Sequence, residues 1–400
     1  MNNNEIPQDY KDSPLGIIPQ EWEVKRLGEI ASFFSGGTPK SSENLYYNGS
    51  IPFIKSGEIY SSNTEQYLSE EGLLMSSAKK VEIGDLLYAL YGANSGECAI
   101  SKINGAINQA VLCIRARMNN YLLLSILEMN KRFYIASYLQ GGQGNLSADI
   151  VKKYTIPIPP LPEQEKIAET LGLWDEAIER QAKIVDLLIT RKRALMQRLL
   201  KPKKHWEKAR LGNLFTHIKE TNDGKEHVVM TISGKSGLIS QENKFDRIIA
   251  GESLKKYTLL KKGDFAYNKG NSKTYPMGCI YKLDSSETAL VPFVYICFRS
   301  KKSVDLEFYK FFFSNHGLDR QLNQIITSGA RGDGLLNVNK EDFFDLRIPL
   351  PPLPEQTYIA EVLSTADSEI NLARKKLESL RTQKKGLMQQ LLTGKKRVKI

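Results

Sequence analysis

The chain has 400 residues, which is enough for two or three domains of ordinary size. Hydrophobic residues make up 41% and charged residues 25% of it, which argues against disorder, and without a signal peptide or a long apolar run we expect a cytoplasmic protein with no membrane anchor. The formal net charge of +11 favours a polyanionic partner such as DNA or RNA.

The first globular region, residues 1–158, combines short β-like runs with one helical stretch. DLLYAL (85–90) and AVLCIRAR (110–117) predict strands, and the apolar stretch at 121–139 predicts a helix. Segments rich in Gly, Ser, Asn and Lys, such as 34–49 and 141–147, predict loops whose amides and cations suit phosphate and base-edge contacts. The candidate contacts here are Lys40, Lys55, Tyr91, Asn94, Gln143 and Asn145.

A long helix is predicted within residues 159–201, after a Pro-rich stretch that permits a first helical turn but no continuing strand. Its apolar positions alternate in steps of four and three, which is the spacing of a coiled-coil seam. Residues 163–200 would span about 57 Å as one helix. The seam residues taken as pairing positions are Ile167, Leu171, Trp174, Ile178 and Leu188.

The second half repeats this organisation, with a globular region at 202–350 and a second helix with a basic tail at 351–400. FVYICFR (293–299) predicts a strand, and turn-rich segments lie at 267–278 and 327–337. The candidate contacts in this region are Lys269, Lys273 and Arg331. The pairing positions of the second helix are Ile359, Leu363, Ile370, Leu377 and Lys384.

The two halves are an internal duplication. IPIPPLPEQ (156–164) and IPLPPLPEQ (348–356) differ at one position, and LMQRLL (195–200) matches LMQQLL (387–392) at the same offset of 192 residues. Upstream the match is looser, with Gly84-Asp85 answering Gly263-Asp264 at an offset of 179. The duplication has therefore kept a helical frame and varied the globular regions, which are the expected specificity elements.

The predicted fold is α+β, with two globular domains separated by a pair of long antiparallel coiled-coil helices and related by a pseudo-twofold internal repeat. If the helices pair about residue 183 and its equivalent, Trp174 lies beside Lys384 and Lys192 beside Ala366. The lysine stem would then cover apolar surface while its head meets the indole face. Registers shifted by one heptad also fit this spacing.

Motifs of catalysis and metal binding are not convincing in this sequence. Cys98, Cys113, Cys279 and Cys297 occur singly in apolar runs and are predicted to be buried thiols, and the four histidines have no ligand spacing, so no metal site is predicted. The sequence also lacks convincing nucleotide-binding and methyltransferase motifs. The alternatives to a non-catalytic DNA-binding protein are a self-contained DNA modification enzyme, which these missing motifs disfavour, and a coiled-coil scaffold, which the basic charge disfavours.

The chain resembles the specificity subunits of Type I restriction-modification systems over essentially its whole length. The features that carry the resemblance are GIIPQEW (16–22), GGTPKSSENLYYNGSIPFIKSGEI (36–59), the Gly-Asp turns and the two PPLPEQ segments, each followed by a helix. The doubled PPLPEQ-helix is the most specific of them. The second half departs from the pattern, since it lacks the G-T-P motif and has KPKKHWEKARLG in place of the GIIPQEW approach.

This resemblance implies two target recognition domains that each read half of a bipartite site in double-stranded DNA. It further implies that the helices set the gap between the half-sites and dock methyltransferase subunits, two in number, with restriction and translocation subunits as further partners. The partners would carry S-adenosylmethionine, ATP and Mg, and this chain would hold no cofactor. The second domain is expected to read a half-site unrelated to the first.

Overall fold

The computed structural model of the chain describes residues 6–138, 145–234, 236–242, 251–270, 275–326 and 336–399. The chain divides into two compact units, one formed by Met1–Ala182 with Lys376–Ile400 and the other by Lys183–Lys375. Each unit therefore holds one globular region and a segment of each long helix. Within the described ranges, no helix combines the length and the apolar character that crossing a membrane requires.

The α-helices of the described residues are numbered here in chain order. They are α1 (Leu27–Ile30), α2 (Glu70–Leu74), α3 (Asn120–Tyr138), α4 (Ala148–Lys152), α5 (Leu161–Leu199), α6 (Leu211–Leu214), α7 (Leu306–Ser314), α8 (Asp319–Ile325), α9 (Lys340–Asp345) and α10 (Leu353–Leu391). The two predicted long helices are α5 and α10, and the predicted helix at 121–139 is α3.

Among its described residues, the first unit contains two four-stranded sheets and two short strand pairs. Its strands are β1 (Tyr10–Lys11), β2 (Ile18–Pro19), β3 (Glu23–Arg26), β4 (Ala31–Ser35), β5 (Ile51–Ile54), β6 (Tyr67–Leu68), β7 (Lys79–Val81), β8 (Leu86–Ala89), β9 (Cys98–Ile100), β10 (Gly105–Ile107), β11 (Val111–Ala116) and β12 (Thr155–Ile158). One sheet has the antiparallel order β4-β11-β8-β9, and the other has the order β6-β5-β10-β7 with β5 and β10 parallel. The strand pairs are β1-β2 and β3-β12.

The second unit repeats the two sheets and the second strand pair. Its strands are β13 (Glu207–Arg210), β14 (Phe215–His217), β15 (Val228–Ser233), β16 (Gly237–Ser240), β17 (Thr258–Lys261), β18 (Phe265–Asn268), β19 (Cys279–Lys282), β20 (Thr288–Val291), β21 (Ile296–Ser300) and β22 (Arg347–Leu350). The sheet orders are β14-β21-β18-β19 and β16-β15-β20-β17, with β15 and β20 parallel, and β13 pairs with β22. The second globular domain thus has the topology of the first, although the two sequences are only loosely alike.

Local chemistry accounts for the start of both long helices and for the end of α10. Pro162 and Pro354 lie in the first turns of α5 and α10, where a missing backbone N–H costs no helical hydrogen bond. Three residues after the end of α10, Gly394 adopts a positive φ of +71°, which glycine tolerates without strain. The heptads between these ends contain no proline, so both helices run uninterrupted for 39 residues.

The long helices run antiparallel, and this is visible within each unit by itself. In the first unit, Ile167 and Leu171 at the start of α5 belong to the same buried cluster as Met388 and Leu391 near the end of α10. In the second unit, Ile359 and Leu363 at the start of α10 are in one cluster with Leu195 and Leu199 near the end of α5. The predicted fold of two α+β domains with an antiparallel helix pair is confirmed.

The register of the helix pair lies within one residue of the hypothesis. Lys384 donates to Asp175, the residue after Trp174, at 2.6 Å, and Lys192 donates to Asp367, the residue after Ala366, at 2.6 Å. The ammonium group that was expected to meet an indole face therefore meets a carboxylate. The physical reason is that a charge-assisted hydrogen bond to an anion is stronger than contact with an aromatic quadrupole.

Candidate nucleic-acid interface

Four loops of the first unit are joined by backbone hydrogen bonds at one edge of its sheets. Asn108 donates to the carbonyl of Ile54 at 3.3 Å, and Leu90 donates to the carbonyl of Ala110 at 2.8 Å. Leu146 then donates to the carbonyl of Leu90 at 2.9 Å. The loops after β5, after β8, between β10 and β11 and before α4 thus meet at one edge, although Ile54 and Leu146, the outermost of these positions, are 92 residues apart in sequence.

Four of the predicted contact residues lie in these connected loops. Lys55 follows β5, Tyr91 and Asn94 follow β8, and Asn145 precedes α4. Asn145 is exposed, whereas the other three side chains are half-buried. The structure brings these candidates together at one edge, as a shared binding surface would require, and their contact with a nucleic acid stays a prediction.

The G-T-P segment adds a fifth loop to this edge and carries Lys40. The hydroxyl of Thr38 donates to Gln109 Oε1 at 2.5 Å, and Gln109 lies in the loop between β10 and β11. Lys40 itself is exposed. A cleft of about 410 Å³ lies beside it, with polar side chains along most of its lining, namely Thr38, Ser41, Asn44, Tyr47, Phe53, Lys55, Gln66 and Asn108.

The loop that follows β5 is fixed near its middle by the carboxylate of Glu97. Tyr60 donates to Glu97 Oε2 at 2.6 Å, and Lys131 of α3 forms an ion pair with the same carboxylate. The hydrogen bonds from Lys131 and Tyr60 lower the pKa of Glu97 below its ordinary value. These contacts hold the loop carrying Lys55 against β9 and α3.

In the second unit, the corresponding loops also meet. Leu336 donates to the carbonyl of Lys269 at 2.9 Å, so the segment before α9 lies against the loop after β18, as the segment before α4 lies against the loop after β8. Lys269 is half-buried in this arrangement. Three of the predicted contacts, Gln143 in the first unit with Lys273 and Arg331 in the second, lie outside the described residues.

A second cleft, of about 580 Å³, lies against β15 and β20 in the second unit. Its lining includes Lys225, Glu226, His227 and Glu242. His227 contacts Asp223 Oδ1 at 2.7 Å through Nε2, and its Nδ1 lies 2.9 Å from Thr288. The lining of this cleft therefore has more ionisable side chains than that of the cleft in the first unit, where Lys55 is the charged residue.

The Gly-Asp turn of the first unit is a structural element behind this surface. Gly84 has a φ of +95°, and the carboxylate of Asp85 accepts two hydrogen bonds from Arg115, at 2.8 and 2.7 Å, and one from the backbone N–H of Glu82. Burial acts to raise the pKa of Asp85, but the hydrogen bonds from Arg115 and Glu82 outweigh burial and lower it. The ion pair between Asp85 and Arg115 connects β11 to the turn before β8.

The same turn occurs in the second unit. Gly263 has a φ of +92°, and Asp264 accepts two hydrogen bonds from Arg299, at 2.7 and 2.6 Å, and one from the backbone N–H of Lys261. Asp264 is 2% exposed. The Gly-Asp matches in the sequence therefore mark a repeated ion pair of the frame, in which a buried aspartate binds a partly exposed arginine, and they are not part of the candidate surface.

The PPLPEQ segment of the first unit fastens its globular domain to α5. Trp22 donates to Glu163 Oε2 at 2.8 Å, and Arg397 donates to both oxygens of this fully buried carboxylate at 2.7 and 2.9 Å. The neighbouring Gln164 accepts from the backbone N–H of Asn119, just before α3. The glutamate and glutamine thus connect the domain, α5 and the tail that follows α10.

The PPLPEQ segment of the second unit makes the matching contacts. Trp206 donates to Glu355 Oε2 at 2.9 Å, His205 lies 2.9 Å from the same oxygen, and Gln356 accepts from the backbone N–H of Asp305 just before α7. Burial acts to raise the pKa of Glu355, but hydrogen bonds from Lys203, His205 and Trp206 lower it to about 2. The segment therefore has the same anchoring role in both units.

Sequence reasoning missed several residues of the candidate surface. Asn108 and Gln109 join the loops of the first unit, and the turn-like NGAINQA stretch at 104–110 was a signal that could have identified them. His227 lines the cleft of the second unit, and the charged segment ETNDGKEH at 220–227 was its signal. Both segments are short and lack a recognisable motif, so only the fold places them beside the other loops.

Comparison with known proteins identifies the family that the chain matches. A family model described as the Type I restriction modification DNA specificity domain matches the chain twice, over residues 19–187 and 203–382. The MjaVIII specificity subunit of a Type I restriction enzyme from Methanocaldococcus jannaschii is 24% identical, over 98% of this chain and 97% of that protein. The putative MjaX specificity subunit of the same organism is 27% identical over the same shares of the two chains.

Two solved structures have a similar fold. One is the S subunit of a Type I restriction-modification system from M. genitalium, with a TM-score of 0.55 and 12% identity over 93% of this chain and 96% of that one. The other comes from work on complex assembly and conformational transition of the type I R-M system, with a TM-score of 0.56 and 15% identity over 94% of this chain and 99% of that one. At these identities the likeness supports the fold alone.

Proposed function

The chain belongs to the Type I restriction-modification DNA specificity family, and we propose that it recognises a bipartite DNA sequence without catalysing a reaction itself. Each globular domain reads one half-site, and the long helices set the gap between the two. The observation that carries this proposal is the repeated domain topology, in which one frame supports two different sets of loops. A DNA-recognition role agrees with the specificity subunits to which the chain is similar.

The chemistry of the connected loops suits DNA recognition. Lys40 and Lys55 offer cations for phosphates, and the amide groups of Asn94 and Asn145 can donate and accept at base edges. The formal net charge of +11 supplies a long-range attraction to a polyanion. The differing cleft linings of the two units support the proposal that the domains read unrelated half-sites.

The same proposal assigns the cofactors and the catalysed reactions to the partner subunits. Two methyltransferase subunits dock on the helix-bearing frame and supply S-adenosylmethionine and adenine methylation. Restriction and translocation subunits supply ATP and Mg for cleavage. This chain contributes the sequence specificity and holds none of these cofactors.

The decisive experiment is to map methylated adenines in cells that carry this chain and its partner methyltransferase, with and without the gene for this chain. We expect a bipartite methylated motif that disappears when the gene is deleted. A replacement of residues 202–347 by the same region of another family member should change one half-site and leave the other intact. Changes in both half-sites would contradict the modular assignment, and an unchanged methylation map after gene deletion would contradict the function.

Binding is tested with the purified chain in complex with its methyltransferase partner. We expect the complex to retard a duplex that contains the mapped motif, and the affinity to fall as the salt concentration rises, because phosphate contacts release counterions. A duplex with one scrambled half-site is the matched control and should bind more weakly. Equal binding of both duplexes would contradict sequence-specific recognition.

A further inference from the structure

Two equivalent ion pairs connect the long helices, one in each unit. In the first unit, Lys384 of α10 donates to Asp175 of α5 at 2.6 Å. In the second unit, Lys192 of α5 donates to Asp367 of α10 at 2.6 Å. Asp367 is the repeat of Asp175 and Lys384 is the repeat of Lys192, both at the offset of 192 residues found in the helices. The duplication has therefore kept the same pair of positions twice.

Both lysines are largely shielded from water and also meet a globular domain. The Lys384 side chain is 13% exposed, and the carboxylate that it binds also accepts a hydrogen bond from Tyr121 of α3. The Lys192 side chain is 21% exposed, and its ammonium nitrogen lies 5.2 Å from the ring centre of Phe311 in α7. Ion pairs in such surroundings are screened less by salt than surface pairs and are costly to break.

We propose that these two ion pairs select one register of the helix pair and so act as positioning residues for the gap between half-sites. The seven-residue spacing of the apolar seam is by itself compatible with registers shifted by one heptad, a displacement of about 10 Å. The two ion pairs are satisfied in the observed register and not in the shifted ones. A shift in one direction would place Asp175 opposite Leu377 and Asp367 opposite Val185.

A shift in the other direction would place Asp175 opposite Leu391 and Asp367 opposite Leu199. In both shifted registers the two lysines lose their carboxylate partners, and partly buried charges without partners are unfavourable. The carboxylates are 43% and 38% exposed and remain partly hydrated, so the lysines account for most of this cost. A polar pair within an apolar seam is a well-supported means of fixing coiled-coil register. The structure supplies two such pairs, both satisfied in one register only.

The consequence for specificity rests on the proposed function. If the helices set the gap, a slip of about 10 Å corresponds to about three base pairs at about 3.4 Å each. The lysine-aspartate pairs then decide which spacing of half-sites is methylated, although they touch no DNA themselves.

The register is measured first on the whole chain, without DNA or partner. Arg191 and Glu369 form an ion pair across the helices in the second unit, so cysteines at these two positions report the native register with a short thiol cross-linker. Cysteine pairs that combine position 191 with position 362 or 376 report the two shifted registers. The native cysteines are buried and give little background.

In the otherwise unchanged chain, we expect the 191–369 pair to cross-link at least tenfold more than either shifted pair. Lys192→Glu combined with Lys384→Glu sets like charges against each other and should lower the 191–369 yield at least fivefold. Exchanging the charges fully, by adding Asp175→Lys and Asp367→Lys, should restore it to within about twofold. Arg180→Ala is the matched control, because it removes only an ion pair with Glu176 of the same helix and should change nothing.

The spacing is measured next, by mapping methylated adenines with the same variants in the complex. The like-charge variant should lose methylation at the native gap at least tenfold, or gain sites whose gap differs by about three base pairs, and the charge exchange should restore the native pattern. An unchanged cross-linking pattern in a folded like-charge variant, judged by circular dichroism, would overturn the register assignment. If even the unaltered chain directs no bipartite methylation, the proposed function fails, and cross-linking alone still decides whether the pairs set the register.

Discussion

The indole N–H of Trp22 donates a hydrogen bond of 2.8 Å to Glu163, 141 residues further along the chain. Trp206 makes the same bond to Glu355 at 2.9 Å. The tryptophan lies near the start of the globular domain and the glutamate belongs to PPLPEQ, so the start of each domain meets the closely repeated PPLPEQ segment in each unit. The motif is preserved in both copies because it is the joint between a domain and its helix.

Removing the carboxylate of Glu163 should destabilise the first unit. Glu163→Ala leaves the buried indole N–H of Trp22 without its acceptor and leaves Arg397 with Glu21 alone, and we expect a loss of about 1–3 kcal/mol in the free energy of unfolding. Glu163→Gln keeps an oxygen acceptor and should cost less. The measurement is urea unfolding followed by far-ultraviolet circular dichroism.

The control for this prediction is Glu169→Ala on the same helix. Glu169 forms an ion pair with Lys166 one turn away, and both side chains are about half exposed, so its loss should cost less than about 1 kcal/mol. Equal destabilisation by the two alanine variants would contradict the anchoring role of Glu163.

The hydrogen bonds of Glu355 in the second unit should make the free energy of unfolding depend on pH. The pKa of Glu355 is about 2 in the folded chain, below the ordinary value of 4.5. A depressed carboxyl pKa contributes stability that is fully present above about pH 4.5 and is lost as the pH falls towards 2. The destabilisation caused by Glu355→Gln should therefore be largest near neutral pH and shrink between about pH 4.5 and 2.

This dependence is checked by urea unfolding of the unaltered chain and the variant at several pH values. Glu361→Gln, which alters an exposed carboxylate on the same helix, is the control and should cause a small loss that does not vary with pH. A loss for Glu355→Gln that stays constant down to pH 3 would show that the carboxylate charge does not stabilise the anchor.

Lys55 should contribute one phosphate contact if the connected loops form the DNA surface. Lys55→Ala is expected to reduce the slope of log affinity against log salt by about one and to weaken binding by about threefold to tenfold. The measurement is a salt titration with the motif-bearing duplex and the methyltransferase complex. Lys166→Ala, on an exposed face of α5, is the control and should leave the slope unchanged. Equal slopes for the two variants would show that Lys55 makes no phosphate contact.

The four cysteines should resist thiol reagents until the chain unfolds. All four are free and buried, as the sequence predicted, and burial raises the pKa of Cys113 and of Cys297 from about 9 to about 12. At neutral pH this change lowers the thiolate fraction about a thousandfold. We expect mass spectrometry to find no alkylation at pH 8 in the native chain and four modified residues in denaturant, and rapid native modification would contradict the described burial.

The sequence by itself determined the frame of this protein. The heptads of Ile167 and Ile359, the first-turn prolines and the exact repeat of PPLPEQ predicted two long antiparallel helices and two domains, because periodicity and proline geometry act locally along the chain. It also identified most of the loops that carry candidate contacts. The Gly-Asp matches were found as well, but their role was not visible without the arginine that each aspartate binds.

The tertiary structure decided what depends on residues distant in sequence. Only the fold shows that Lys384 meets Asp175 and not the neighbouring indole, because a seam repeating every seven residues leaves the heptad register open until charges pair across it. Only the fold brings Lys55, Tyr91 and Asn145 to one edge, through backbone hydrogen bonds whose partners no local pattern specifies. Local sequence sets what each helix and loop is, and long-range pairing sets what each one faces.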